Sequence, residues 1–106
     1  MKQISNQIID EIIKRIIECA NPVKIILFGS FVRGEQTEES DIDLLVIEDN
    51  VMFRRKEMIK IRRALRDMRI PVDIIVASKK HLEEYGQIYG TALFSAVHEG
   101  KILYAR

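Results

Sequence analysis

Isoleucine recurs every three or four residues through the first part of the chain. This spacing places one apolar stripe along one face of a helix. The helix should end at Asn21-Pro22, because the residue before a proline avoids the helical region. The stripe comprises Ile4, Ile8, Ile9, Ile12, Ile13, Ile16 and Ile17.

Helical spacing returns in two later segments. Residues 51–69 predict a second helix that Pro71 terminates, with an inner stripe of Met58, Ile61, Leu65 and Met68. Ser78 can cap a short helix over residues 79–85. A further helix, stopped by Gly100, is marked by Ile88, Ala92, Leu93, Ala96 and Val97.

Short runs of β-branched and apolar residues lie between these helices and predict strands over 23–28, 41–47, 72–77 and 102–104. Helices and strands alternate along the chain, which is typical of an α/β protein. We therefore expect one domain over residues 1–106. Its sheet should be small and mixed or mostly parallel, with helices packed on it.

Two aspartates, Asp41 and Asp43, lie inside one of the most hydrophobic predicted strands. Strand residues two apart share a face, so these carboxylates lie side by side and repel each other. A divalent metal would relieve that repulsion, and hard oxygen ligands favour Mg²⁺ or Mn²⁺. Asp73 begins another apolar strand. If the two strands are neighbours, three carboxylates converge as in sites where two metals handle a phosphoryl group.

The alternative interpretation is that each aspartate is a turn or strand-start residue facing water. For one aspartate that interpretation would suffice. Three such residues, two of them in an Asp-x-Asp pair, favour the metal site.

A Gly29-Ser30 turn directly follows the first predicted strand. Glycine allows a sharp turn and a close approach of the backbone to a ligand. Backbone N–H groups and the Ser30 hydroxyl can hold phosphate oxygens, and Arg33 offers a guanidinium to the same phosphates. Together with the aspartates, this turn predicts a site for a nucleoside triphosphate.

Gly29-Ser30, ten intervening residues and Asp41-Ile42-Asp43 form a spaced motif that resembles the nucleotidyltransferase superfamily of DNA polymerase beta, and more closely its minimal stand-alone members, the MNT domains. The resemblance implies a polymerase-beta-like fold and Mg²⁺-dependent transfer of a nucleoside monophosphate from ATP. It also implies that Asp41, Asp43 and Asp73 bind two metal ions.

The same resemblance implies a partner. Many MNT proteins neutralise a HEPN-type ribonuclease toxin, some by adding AMP to a tyrosine of that toxin. We expect this chain to be such an antitoxin. The alternatives are neutralisation by binding alone, or transfer to an RNA or a small-molecule acceptor. The nucleotide, the acceptor atom and the oligomeric state, homomeric or heteromeric, stay open.

Charge and composition narrow the possible partners and the cellular location. Seventeen basic and sixteen acidic residues leave a formal charge of +1, which gives no global attraction to nucleic acid or membrane. A single cysteine, Cys19, excludes an internal disulfide and fits a cytoplasmic location. No apolar run is long enough to span a membrane.

Basic charge is concentrated in the predicted second helix. Its basic residues are Arg54, Arg55, Lys56, Lys60, Arg62, Arg63, Arg66 and Arg69. This face is either the solvated side of an amphipathic helix or a contact for RNA or an acidic partner. No aromatic residues interleave the arginines, which argues against stacking on single-stranded nucleic acid and makes direct nucleic-acid binding the less favoured class.

Overall fold

The computed structural model describes residues 5–106, so Ile4 of the predicted stripe lies outside the described residues. Helix α1 spans Asn6–Cys19, and the Ser5 side chain caps it by accepting a hydrogen bond from the Ile8 N–H at 3.2 Å. Ile12 and Ile16 are buried as expected. Ile17 is exposed, because the inner face of α1 is narrower than its apolar stripe.

Four strands form one mixed sheet: β1 Pro22–Phe28, β2 Ile42–Glu48, β3 Val72–Ser78 and β4 Lys101–Ala105. Their order is β3-β2-β1-β4, with β2 parallel to β3 and the other two pairings antiparallel. The prediction of a small mixed sheet in an α/β protein is confirmed.

The remaining helices are α2 Ser30–Arg33, α3 Arg54–Leu65, α4 Lys79–Tyr85 and α5 Ala92–Glu99. The predicted helix over 51–69 was too long at both ends. It begins at Arg54 because Phe53 has an extended backbone, and a 3₁₀ turn over Arg66–Met68 replaces its last turn.

The last predicted helix also began too early. Ile88 lies in the turn before α5 and is exposed, and Val97 is exposed as well. The cap of α4 was predicted correctly, since the Ser78 hydroxyl accepts a hydrogen bond from the His81 N–H at 3.0 Å.

Both faces of the central strands are covered. On one face α1 and α3 cover an apolar cluster that includes Ile25, Leu44 and Ile74. On the other face Leu93 and Ala96 of α5 pack against Leu45 and Ile47. The central strands are therefore apolar on both sides, which makes the carboxylates at the ends of β2 and β3 unusual. Within residues 5–106, no helix is long and apolar enough to cross a membrane.

Candidate active site

The parallel pairing of β2 with β3 brings two of the predicted carboxylates together. Asp43 is the direct register partner of Asp73, and neighbouring strands in a sheet lie about 4.8 Å apart. The two residues stand on the same face of the sheet, near the start of both strands. The convergence that the sequence predicted from adjacent strands is therefore present for this pair.

Asp41 lies just outside the sheet. The sequence placed it inside the second strand, but β2 begins at Ile42, whose N–H donates to the Pro71 carbonyl oxygen at 2.8 Å. Asp41 is exposed in the segment that leads into β2. It is close enough to Asp43 for its charge to raise the pKa of the Asp43 carboxyl.

The turn after β1 brings the backbone against the same carboxylate. Phe28 pairs with Asp43 across the antiparallel β1–β2 ladder, and Gly29 follows it with φ +80°. A Cβ atom at Gly29 would collide with Oδ2 of Asp43 and lie 3.1 Å from its Cγ. Only glycine allows both this backbone conformation and this approach.

Asp43 has an electrostatic environment that opposes its ionisation. Burial raises the pKa of the Asp43 carboxyl, and the charges of Asp73 and Asp41 raise it further, while Arg33 lowers it. Stored repulsion of this kind favours the binding of a cation among these groups.

Arg62 of α3 neutralises the third carboxylate. Its Nη2 lies 3.3 Å from Oδ1 of Asp73, and about half of each side chain is exposed. This pair was not predicted from the sequence, because Arg62 follows the buried Ile61 on a helix that covers the opposite face. The concentration of arginines was visible in the sequence, but which arginine reaches Asp73 depends on how α3 packs at the β3 edge.

Arg33, predicted as a phosphate ligand, forms an ion pair with Glu35 through its Nε, and that pair raises the pKa of its guanidinium. Both side chains are largely exposed, so the pair contributes little to stability and can open for an anion. Ser30 begins α2 directly after Gly29, so the predicted phosphate-binding residues adjoin the carboxylates.

The donor chemistry and backbone placement of Asp41, Asp43 and Asp73 fit a magnesium or manganese site. In their present side-chain conformations, however, these aspartates do not form a ready metal site. The described part of the chain contains no group of three His, Cys, Asp or Glu residues arranged to hold a metal ion. Asp73 is turned to Arg62. A metal would therefore compete with Arg62 for that carboxylate.

Comparisons with known proteins concern the family and the fold. A family model described as a nucleotidyltransferase domain matches residues 8–98. A Methanocaldococcus jannaschii protein provisionally named a protein adenylyltransferase is 39% identical over 64 residues, which are 58% of this chain and 44% of the relative. A second protein of that organism with the same provisional name is 69% identical over 26 residues, which are 24% of this chain and 26% of the relative. Each alignment thus spans less than half of the relative.

Solved structures share the fold. A chain of a toxin-antitoxin crystal structure with AMP-PNP superposes with a TM-score of 0.62 at 25% identity, over 92% of this chain and 73% of that one. A provisionally named nucleotidyltransferase from Sulfolobus solfataricus superposes with a TM-score of 0.63 at 20% identity, over 92% and 78%. A chain from a complex of a tri-AMPylated Shewanella oneidensis HEPN toxin with an MNT antitoxin gives 0.52 at 20% identity, over 92% and 70%. The predicted polymerase-beta-like fold is confirmed.

Proposed function

The chain belongs to the nucleotidyltransferase domain family, and from this premise we propose that it transfers AMP from ATP to a tyrosine hydroxyl of a HEPN-type toxin and so acts as an antitoxin. The observation that carries the proposal is the in-register pair of Asp43 and Asp73 beside the Gly29 turn. This arrangement places two carboxylates next to a backbone turn that a phosphate can approach closely.

The turn after β1 would hold the β- and γ-phosphates of ATP. The Val32 and Arg33 N–H groups of α2 donate to the Gly29 carbonyl oxygen, so the N–H groups of the first two residues, next to the Ser30 hydroxyl, would be the ones offered to phosphate. Arg33 would leave Glu35 for the more highly charged phosphate, because a guanidinium binds phosphate in a bidentate manner. Gly29 keeps the backbone close enough to Asp43 for both groups to face one ligand.

Asp41, Asp43 and Asp73 would hold two divalent ions, Mg²⁺ or Mn²⁺, which when bound would neutralise charge on the triphosphate and on the attacking oxygen. Asp43 would face the phosphate side, since it contacts Gly29. Asp73 would face the acceptor, because it lies on β3, away from the β1 turn.

In the proposed reaction, the tyrosine oxygen attacks the α-phosphorus of ATP. A new P–O bond forms, the bond to the β-phosphate oxygen breaks, and pyrophosphate leaves. The tyrosine proton passes to the Asp73 carboxylate or to water. Arg62 has to release Asp73 for this role, and freed Arg62 can then contact the acceptor side of the site.

The choice of a HEPN toxin as acceptor rests on relatives. The two archaeal relatives carry the name protein adenylyltransferase, and the Shewanella complex holds an AMP-modified HEPN toxin. These are properties of those proteins, and they support the same acceptor class here.

A second candidate is an antitoxin that neutralises its toxin by binding alone. One observation favours it. Arg62 and Arg33, the cations beside the site, are each paired with a carboxylate of this chain, Asp73 and Glu35. A site closed in this way would bind a partner without transferring AMP.

Isotope placement in ATP separates these functions. The protein would be incubated with a HEPN-type toxin, Mg²⁺ and ATP labelled on either the α- or the γ-phosphate. AMP transfer labels the toxin from the α-label only, requires Mg²⁺ and fails with Asp43→Asn. A stable complex without label would identify the binding-only antitoxin. Label from the γ-phosphate would contradict nucleotidyl transfer.

A further inference from the structure

Charge is segregated within this nearly neutral chain. Residues 54–69 carry eight basic and two acidic residues, while the rest carries nine basic and fourteen acidic ones. One segment is thus strongly positive and the remainder is negative. Such an asymmetry creates a positive electrostatic potential around residues 54–69, which attracts negatively charged partners.

The first three residues of helix α3 oppose the helix dipole, whereas Glu57 in its first turn and the basic residues of its last turn agree with it. Those three residues, Arg54, Arg55 and Lys56, are basic although the helix N-terminus is itself positive. Phe53 provides no side-chain cap. Lys56 and Lys60 form a like-charged pair four residues apart, which repels. Local rules are commonly broken at functional sites, where the violation serves binding.

Few of these cations are neutralised. Among the described residues, Lys60 pairs with Glu57 at 2.7 Å and Arg62 pairs with Asp73 at 3.3 Å. No ion pair within residues 5–106 involves Arg54, Arg55, Lys56, Arg63 or Arg66. The outward side of α3 therefore presents unpaired positive charge.

An apolar side chain stands at the centre of this charge. Ile59 is 42% exposed and separates two open depressions of about 510 and 390 Å³. The first is lined by Arg54, Arg55, Met58, Ile59 and Arg62, and the second by Lys56, Ile59, Lys60 and Arg63. An apolar centre with a charged rim is the usual composition of a protein-binding surface.

The surface is continuous with the candidate active site. Arg62 lines the larger depression and also contacts Asp73. It further lines a cavity of about 220 Å³ with Arg66 and the β3 residues Val72 and Ile74. A chain lying along α3 would therefore reach the carboxylate assigned to the acceptor side.

We propose that this surface, defined by Arg54, Arg55, Lys56, Ile59, Arg62 and Arg63, docks an acidic polypeptide segment of the protein substrate and guides its hydroxyl to Asp73. The inference rests on the proposed function and adds how that substrate is recognised. Acidic side chains would pair with the arginines, and one apolar side chain would contact Ile59. Docking at Arg62 would also compete for the cation that holds Asp73.

A polypeptide fits this surface better than single-stranded RNA does. RNA without sequence preference is held by basic grooves with aromatic rings for its bases. The one aromatic ring at this end of α3, Phe53, has the Lys56 ammonium 4.8 Å from its centroid, so that face is occupied. The central contact is aliphatic Ile59, which suits a side chain of a protein.

The test measures docking apart from transfer. The probe is a fluorescein-labelled random copolymer of glutamate and tyrosine, whose binding is followed by anisotropy without ATP. The test variant is Arg55→Glu with Arg63→Glu, and the control is Lys14→Glu with Lys80→Glu, an equal charge change at exposed positions outside α3. We expect the test variant to bind about tenfold more weakly and the control to bind like the wild type.

Unfolding cannot imitate this result. Glutamate at position 55 is favourable in the first turn of α3 and glutamate at position 63 is unfavourable in the last turn, so the two effects offset and the test variant should melt close to the wild type. Wild-type binding should weaken with added salt. An Asp43→Asn variant should dock the copolymer normally.

The outcomes separate the two proposals. If the wild type docks the copolymer, the test variant does not, and the wild type transfers no AMP, the docking surface is supported and the proposed AMP transfer is contradicted. Equal weakening in the test and control variants would overturn the surface. Binding of labelled oligouridine but not the copolymer would overturn the polypeptide as occupant. The polypeptide would also be overturned as occupant if the copolymer does not bind and sedimentation velocity shows that the wild type is a dimer while the test variant is a monomer.

Discussion

At the level of single residues, the close contact between Gly29 and Asp43 links the phosphate turn to the carboxylates. The contact exists because Phe28 pairs with Asp43, so the next residue turns directly over that side chain. The Gly-Ser turn and the Asp-x-Asp pair therefore belong to the same site. Their sequence spacing reflects the length of the β1–β2 connection.

Gly29→Ala should lower stability and abolish nucleotidyl transfer. The positive φ costs about 1–2 kcal/mol for a residue with a Cβ, and the new Cβ also displaces the Asp43 carboxylate. Gly90→Ala is the matched control, because Gly90 has φ +88° but a Cβ added there would meet no atom within 4 Å. Urea unfolding should show a loss for both variants, and activity should fail only for Gly29→Ala. Normal transfer by Gly29→Ala would refute the contact's role.

Arg62→Gln should tighten binding of Mn²⁺ to the protein without nucleotide. Arg62 competes with a metal for Asp73, and an exposed ion pair of this kind is worth up to about 1 kcal/mol, so affinity should rise about two- to fivefold. Electron paramagnetic resonance of free Mn²⁺ would measure the change. Arg66→Gln removes an equal charge from the same helical face and should have a smaller effect. Unchanged or weaker binding in Arg62→Gln would contradict the competition.

At the level of helices and strands, strand boundaries were more predictable than helix boundaries. The apolar runs fixed β1, β2 and β3 to within a residue, because burial on both faces leaves little freedom. Helix ends depend on local caps and exposure. Met52 fell within the helix predicted over 51–69, and Ile88 was counted in the last helix by its spacing. Both are exposed in the segments before α3 and α5.

A buried glutamate of β2 and a partly buried glutamate of α3 form an acidic pair at the end of β2 opposite the candidate active site. Glu48 is 8% exposed. Its burial and, to a smaller extent, the neighbouring Glu57 raise its pKa from 4.5 to about 7. Burial also acts to raise the pKa of Glu57, but the neighbouring Glu48 and Lys60 side chains lower it overall. One Oε2 atom on each glutamate is buried without a hydrogen-bond partner in the described chain. A proton held on Glu48 would satisfy both.

The wild type should therefore lose stability as the pH rises from 4.5 to about 7, the ordinary and folded pKa values of Glu48. Over that range the folded state binds more protons than the unfolded state, and above it the loss is constant. Glu48→Gln keeps a neutral side chain and should be more stable than the wild type by roughly 1–3 kcal/mol at about pH 8, with little difference at about pH 4.

Urea unfolding at both pH values would measure this gain. Glu83→Gln, a substitution at an exposed position of α4, serves as the control and should show no such dependence. A difference between Glu48→Gln and the wild type that does not grow with pH would refute the buried proton.

Across the molecule as a whole, two features beyond the local patterns shape the site. The parallel β2–β3 pairing sets Asp73 beside Asp43, and the strand pattern together with the family resemblance predicted it. The path of α3 brings Arg62 to the β3 edge, and no pattern predicted that. Contacts between a helix and an edge strand depend on tertiary packing, which sequence periodicity does not encode.

The proposed function rests on AMP transfer that depends on Asp43. It is tested by the intact mass of a HEPN-type toxin after co-expression with the wild-type protein and, separately, with Asp43→Asn. We expect a mass gain of one or more AMP groups with the wild type and none with the variant. Equal gains with both proteins, or no gain from either in a stable complex, would contradict the proposed transfer.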